Sequence, residues 1–271
     1  MAPVVVVKLG GGLITDKARI TTPRPERIKR LAEEIANAIE GGCKVVLVHG
    51  AGSYGHLRAK AWALAQGRSS VQGRDGCTTQ DEAVNKVRDE MQDLASMVLE
   101  ALEEAGVPAS GHPPHQWATG TGPHFHGNLD AFQREGPLPV TWGDVVDVEG
   151  PAEFGILSGD DLVLRCALEV PGVKRVVFAM GGADGVLRRP PGMATAEDLI
   201  ETWTEGSTFE GHHAVDMDVT GGIGLKVDRA LRIANAGVEV LFVNGEIQGR
   251  LQAAMLGHSV RGTRFPPAQK G

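Results

Sequence analysis

Aromatic residues are scarce in this chain: seven Phe, four Trp and one Tyr make up 4% of 271 residues. Set against 37 glycines, that balance suits a sheet protein with many tight strand-to-helix turns. Cysteine is equally sparse. Cys43, Cys77 and Cys166 are far apart and odd in number, and no CxxC or Cys/His spacing links them. A disulfide framework or a zinc site is therefore not expected, and reduced structural thiols are. Positive charge is in deficit, with a formal net charge of −7, which argues against nucleic acid or an anionic membrane as partner. Long apolar runs are missing too. Val4–Val7 is too short for a signal core or a membrane span, so the expected location is the cytoplasm. GxxxxGK[ST] does not occur, so a Walker loop is not expected, and a dinucleotide fold is not expected either.

What is present is a pair of glycine-rich turns, each tied to a basic side chain. The first runs from Val4 through Lys8, Gly10, Gly11 and Gly12 to Lys17, and the second from Val45 through His49, Gly50, Ala51, Gly52 and Gly55 to His56. Each opens with a β-branched apolar run, the pattern of a buried parallel strand. Each then breaks into small residues that let backbone N–H groups approach a ligand closely. A helix is expected after each turn, and helix N-terminal donors beside Lys or His make an anion site. Two such sites on neighbouring strands could hold two phosphates facing each other, as phosphoryl transfer requires.

Strand and helix patterns alternate along the chain, which favours a mainly parallel sheet covered on both faces, a three-layer αβα sandwich. Strands are expected at Val4–Leu9, Lys44–His49, Val107–Ala109, Leu138–Trp142, Arg175–Met180 and Val238–Val243, with Val260–Phe265 closing an edge. Helices are expected over 25–40, 57–66, 80–105, 158–168, 226–236 and 247–256. Val145–Ile156, with Gly150-Pro151 inside it, reads as a β-hairpin. Residues 110–136, rich in Gly, Pro and His, read as a loop over a binding cleft. Residues 190–218 read as irregular, and the last six residues as frayed. The chain is expected to form one domain, with residues 1–157 binding the phosphoryl acceptor and 158–271 the nucleotide.

Three further features bear on chemistry. Lys8 ends an apolar strand, where a lysine needs a partner. Ser158-Gly159-Asp160-Asp161 places carboxylates at a helix start, with Ser158 or Asp160 as N-cap. Asp160 is the candidate for orienting Lys8 and a second lysine, while Asp161 reads mainly as dipole complement. Asp218-Val-Thr220-Gly221-Gly222-Ile-Gly224-Leu-Lys226 is a third glycine turn that ends in lysine. His112, His115, His124 and His126 invite a metal reading, but no carboxylate or Cys completes a site, so no metal ligand is assigned. His212 and His213 read as loop surface.

Taken together, Lys8-Leu-Gly-Gly, His49-Gly-Ala-Gly-Ser-Tyr-Gly-His56, Trp142-Gly-Asp144, Ile156-Leu-Ser-Gly-Asp-Asp161, Asp184-Gly-Val186, Asp218-Val-Thr-Gly-Gly222 and Gly262-Thr263 resemble the amino-acid kinase superfamily, and within it the isopentenyl phosphate kinases. The resemblance covers essentially the whole chain, and the second motif is the specific one. His56 resembles the histidine that binds the substrate phosphate in that family, which kinases of carboxylates typically lack. The sequence departs in two places: Gly10-Gly11-Gly12 stands where the family has Gly-Gly-Ser, and Met180-Gly181-Gly182-Ala183-Asp184-Gly185 stands where it has Thr-Asp-Val-Asp-Gly.

The resemblance implies an ATP-dependent kinase, Mg²⁺ bound with ATP, a small phosphate acceptor such as isopentenyl phosphate, and a homodimer. It casts Lys8 and Lys226 as stabilising the transferring group, Lys17 as serving the phosphate-rich end, and Asp160 as ordering the lysines. Gly10, Gly11 and Gly52 would offer backbone donors, Gly182, Asp184 and Gly222 would contact the nucleotide, and Ala51, Gly55, His56 and Gly159 would hold the acceptor. Two other readings stay open: a sister kinase of another phosphate or phosphonate, such as fosfomycin, and a non-catalytic anion- or nucleotide-binding member of the fold.

Overall fold

The computed structural model describes residues 2–16, 18–71, 73, 75–210 and 222–268. In chain order these form β1 (Val4–Leu9), α1 (Gly11–Ile14), α2 (Pro25–Glu40), β2 (Lys44–His49), α3 (His56–Ala61) and α4 (Gln80–Glu104). Next come β3 (Ala109–Gly111), β4 (Ala118–Thr119), β5 (His126–Gly127), β6 (Leu138–Trp142), β7 (Asp144–Asp147), β8 (Phe154–Leu157) and α5 (Gly159–Glu169). The chain then runs through β9 (Val173–Met180), α6 (Gly222–Asn235), β10 (Glu239–Asn244), α7 (Arg250–Met255) and β11 (Gly262–Phe265).

The main sheet has the order β11-β10-β9-β1-β2-β6-β3. All its pairings are parallel except β10 with the edge strand β11. Alternation along β1 separates two cores. Val5, Val7 and Leu9 join Ile28 and Leu31 of α2, Met91 of α4 and Leu251 of α7 on one face. Val6 joins Leu162 and Val163 of α5 and Val227 and Ile233 of α6 on the other. The chain thus forms the three-layer αβα sandwich expected from its patterning.

Several expectations need correction. Residues 110–136 are not a loop over a cleft: β4 and β5 form a small sheet with the hairpin β7–β8, in the order β5-β4-β7-β8. Phe125, Leu129 and Phe132 anchor this region in the α5–α6 core, an apolar signal too short and broken for a periodicity argument. The helix expected over 57–66 stops at Ala61, because Ala63 turns left-handed (φ 49°) before a short 3₁₀ turn. The strand expected at Val107–Ala109 forms two residues later. Helix α6 begins at Gly222, a full turn before Lys226. Of the terminal residues expected to be frayed, Ala268 donates its N–H to the Ala234 carbonyl at 2.8 Å. No helix among the described residues is long and apolar enough to cross a membrane.

Candidate active site

Both glycine turns lie at the carboxyl ends of adjacent parallel strands, where open α/β sheets place their ligands. They pack into one unit. A Cβ on Gly11 would lie 2.1 Å from the Gly52 nitrogen, and one on Gly52 only 2.0 Å from Thr15 Oγ1. Gly52 also has φ 55°, a conformation that favours glycine. Thr15 ties the turns together: its hydroxyl donates to the Gly11 carbonyl at 2.8 Å and accepts the Ser53 N–H at 2.9 Å. Gly52→Ala should therefore cost about 2–4 kcal/mol, from overpacking and left-handed strain combined. A thermal melt within 2 °C (about 1 kcal/mol or less) of the parent would show that the turns are not packed this way.

Beneath the turns sits a buried charge centre. Lys8 of β1 donates to Asp160 of α5, which is fully buried. Lys226 of α6 donates to the other oxygen of Asp160 at 3.2 Å and to the Gly222 carbonyl at 3.2 Å. Ser158 caps α5, its hydroxyl accepting the Asp160 N–H at 3.2 Å. Burial pushes the Asp160 carboxyl up, but Lys226 and Lys8 together outweigh it and hold the group below the usual carboxylate range. Burial pulls the Lys8 ammonium down to about 8, against Asp160, which raises it, while Lys226 lowers it further. The centre is thus one carboxylate shared by two ammonium groups.

Above this centre lies a cavity of about 940 Å³. Its floor is Lys8, Gly10, Gly11, Gly52, Gly159 and Lys226. On the β2 side, Ala51, Gly55 and His56 meet the apolar side chains of Ala59, Val87, Met91 and Ile156. On the β9 side, Gly182, Leu187, Pro190, Phe209 and Gly222 close it. Residues 110–136 take no part in this wall. His115 Nδ1 instead meets Asp144 Oδ2 at 2.7 Å, and His112 Nε2 meets Ser110 Oγ at 3.0 Å. No metal-holding group of three or more His, Cys, Asp or Glu occurs among the described residues.

Asp184 does not stand on the cavity wall, although its neighbours Ala183 and Gly185 do. Its carboxylate is held by Arg250 and, at 2.7 Å, by Arg261, which fixes the turns after β9 and β10 from behind. Lys17, Asp218, Thr220, Gly221, His212 and His213 lie outside the described residues.

One cavity-lining group escaped the sequence reading. Glu246, just past β10, lines the cavity, accepts the Gly182 N–H at 3.2 Å and pairs with Arg27 at 2.7 Å. No motif marks it; its place at a strand's carboxyl end was the available signal. His49 is fully buried and stacks on Trp142 at 5.4 Å between ring centres. Burial holds its pKa down at about 4, from an ordinary 6.5. The unfolded chain therefore takes up this proton first. The stability involved is intact above pH 6.5 and drains away as pH falls towards 4, at about 1.4 kcal/mol per unit. Denaturant titrations at pH 7 and pH 5 should show a smaller loss for His49→Gln than for the parent; equal losses would remove His49 from the acid response.

A parallel sheet whose strand ends carry glycine turns around a Lys–Asp–Lys centre defines an α/β protein built to handle phosphate groups. Residues 3–244 match the amino acid kinase family. The chain is 31% identical over 271 residues to isopentenyl phosphate kinase of Methanothermobacter thermautotrophicus, covering 96% of this chain and 98% of that one. It is 33% identical over 241 residues to isopentenyl phosphate kinase of Haloferax volcanii, covering 84% and 88%. A crystallographic isopentenyl phosphate kinase superposes with a TM-score of 0.78 at 27% identity, over 97% of this chain and 99% of that one. The chain belongs to the amino acid kinase family and, within it, to the isopentenyl phosphate kinases.

Proposed function

We propose that this protein transfers the γ-phosphoryl group of ATP to isopentenyl phosphate, giving isopentenyl diphosphate and ADP. An acceptor phosphate oxygen attacks the γ-phosphorus, and the bond from that phosphorus to the bridging oxygen of ADP breaks. The acceptor is already an oxyanion near neutral pH, so no general base is needed. The obstacle is repulsion: two unit charges 4 Å apart cost about 4 kcal/mol in a partly dry site. Positioning and charge neutralisation therefore carry the reaction.

The observation that carries this reading is the buried Lys8–Asp160–Lys226 centre, set between two anion-binding turns. Lys8 and Lys226 would face the phosphoryl group in flight, with Asp160 holding both ammonium groups in place. Gly10, Gly11 and Gly52 would direct backbone N–H groups at the phosphates, and Lys17 would serve the phosphate-rich end. His56, with Ala51, Gly55 and Gly159, would hold the acceptor phosphate, while Ala59, Val87, Met91 and Ile156 receive an apolar tail. That apolar wall favours an isoprenoid over a small polar phosphonate. The nucleotide would enter from the β9 side past Gly182 and Gly222. Mg²⁺ carried in by ATP would neutralise its phosphates. Residues 1–157 would thus bind the acceptor and 158–271 the nucleotide, in a cytoplasmic homodimer.

The test is a coupled ADP-release assay with MgATP against isopentenyl phosphate, dimethylallyl phosphate, geranyl phosphate, fosfomycin and acetylglutamate. The expected result is strong turnover on the two five-carbon monophosphates. Turnover on fosfomycin alone would keep the phosphoryl-transfer centre and overturn the acceptor.

A further inference from the structure

Helix α5 opens with two adjacent carboxylates, and both are buried: Asp160 is 0% exposed and Asp161 3%. Only Asp160 belongs to the centre described above. Asp161 receives Arg229 Nε at 2.7 Å, and Arg229 is itself 7% exposed. Arg229 follows Lys226 by about one helical turn, so both side chains leave the same face of α6 and reach the start of α5. Two neighbouring carboxylates are thus matched to two neighbouring cations of one helix, each to its own partner. On the solvent side Asp228 binds Arg229 Nη1 and also Arg232 Nε at 3.1 Å, which holds the guanidinium in place.

We propose that Arg229 is a positioning residue for phosphoryl transfer: by occupying Asp161 it leaves Asp160 alone to receive Lys8 and Lys226. The proposal rests on the kinase reading above. Without Arg229, Asp161 would be a buried carboxylate whose remaining cationic neighbour is Lys8, and it would draw on that lysine. The groups facing Lys8 are Asp160 and Asp161 from α5, Lys226 from α6, neutral His49 from β2, and the Phe178 ring from β9 at 6.0 Å. Asp161 already favours the charged form of Lys8 through space. Burial pushes the Asp161 carboxyl above its ordinary range, and Arg229 opposes that rise. Stability alone gives little reason for such a pair, because a buried ion pair often does no better than apolar residues of the same volume.

The experiment is a double-mutant cycle of Arg229→Met, Asp161→Asn and the two together. Each variant is measured by kcat and both KM values with isopentenyl phosphate, by thermal melting, and by NMR titration of the Lys8 ε-carbon in ¹³C-lysine-labelled protein without substrates. Each single change should lower kcat by about 10–100-fold with both KM values within about threefold, since each leaves one buried charge to compete inside the centre. The Lys8 midpoint should rise in Arg229→Met, where Asp161 turns to it, and fall in Asp161→Asn, where the free guanidinium competes for Asp160. The double variant should regain at least about tenfold in kcat over the worse single and return the Lys8 midpoint towards that of the parent. A purely structural pair would lower the melting temperature in all three variants and leave kcat per folded enzyme and the Lys8 midpoint unchanged. That result, or a double variant no better than the singles, overturns the proposal. If Arg229→Met does not fold, the downward shift in Asp161→Asn tests the same pairing from its other side. If the parent is inactive on isopentenyl phosphate while the Lys8 midpoints move as stated, the acceptor assignment fails and the role of Arg229 stands.

Discussion

Lys8→Met should lower kcat by about 10²–10³-fold, the scale of removing one preorganised donor from a developing oxyanion. Methionine keeps most of the buried aliphatic length of Lys8, so the strand should hold and the loss should fall on chemistry. KM for MgATP should change by only a few-fold, because the backbone donors of the glycine turns and Lys226 remain. The same residue predicts the pH response. Burial pulls the Lys8 ammonium to about 8, and only the charged form can neutralise the transferring group. Activity should therefore be full below that value and fall as pH rises through it. Bound phosphates favour the charged form, so the alkaline limb of kcat should lie at higher pH than that of kcat/KM. Turnover within threefold of the parent in Lys8→Met would take Lys8 out of the mechanism. A kcat/KM profile flat to pH 9.5 would leave the fold intact but show that the titration of Lys8 does not govern the rate.

Much of this centre could be read from the sequence because its parts obey local rules. β1 and β2 are continuous β-branched runs, which only a doubly covered parallel sheet accommodates, and each ends in glycines that no strand or helix interior would keep. The Ser158 cap was visible because a hydroxyl before two carboxylates is a helix start. The pairing of Lys8 with Asp160, by contrast, joins residues far apart in the chain and could only be conjectured from the oddity of a lysine ending a buried strand. Glu246 and Arg229 were invisible for a related reason: nothing in their neighbours distinguishes a surface charge from one folded against another strand or helix. Residues 110–136 misled because their glycines and prolines resemble loop punctuation, while the ring packing of Trp117, Phe125 and Phe132 that orders them is non-local. Asp184 is a different case. Its motif neighbours do line the cavity, but its carboxylate points into Arg250 and Arg261.

His56→Ala should reduce kcat/KM for the acceptor by about 30–1000-fold, or 2–4 kcal/mol, the range for losing a charge-assisted hydrogen bond to a phosphate. His56 is the first residue of α3 and lines the cavity. The same short helix presents Ala59 to the cavity, so phosphate and tail would be read by one element. Arg58, between them, is pinned to Glu90 of α4 at 2.8 Å, which fixes the helix from behind. The loss should therefore appear in KM for isopentenyl phosphate more than in KM for ATP, which the proposed function brings in from the β9 side. A glutamine at the same position retains an N–H donor and should recover part of the loss. Equal damage to both KM values would mean that His56 supports the packing of the two glycine turns rather than the acceptor. Unchanged kcat/KM on isopentenyl phosphate would place the acceptor phosphate elsewhere in the cavity.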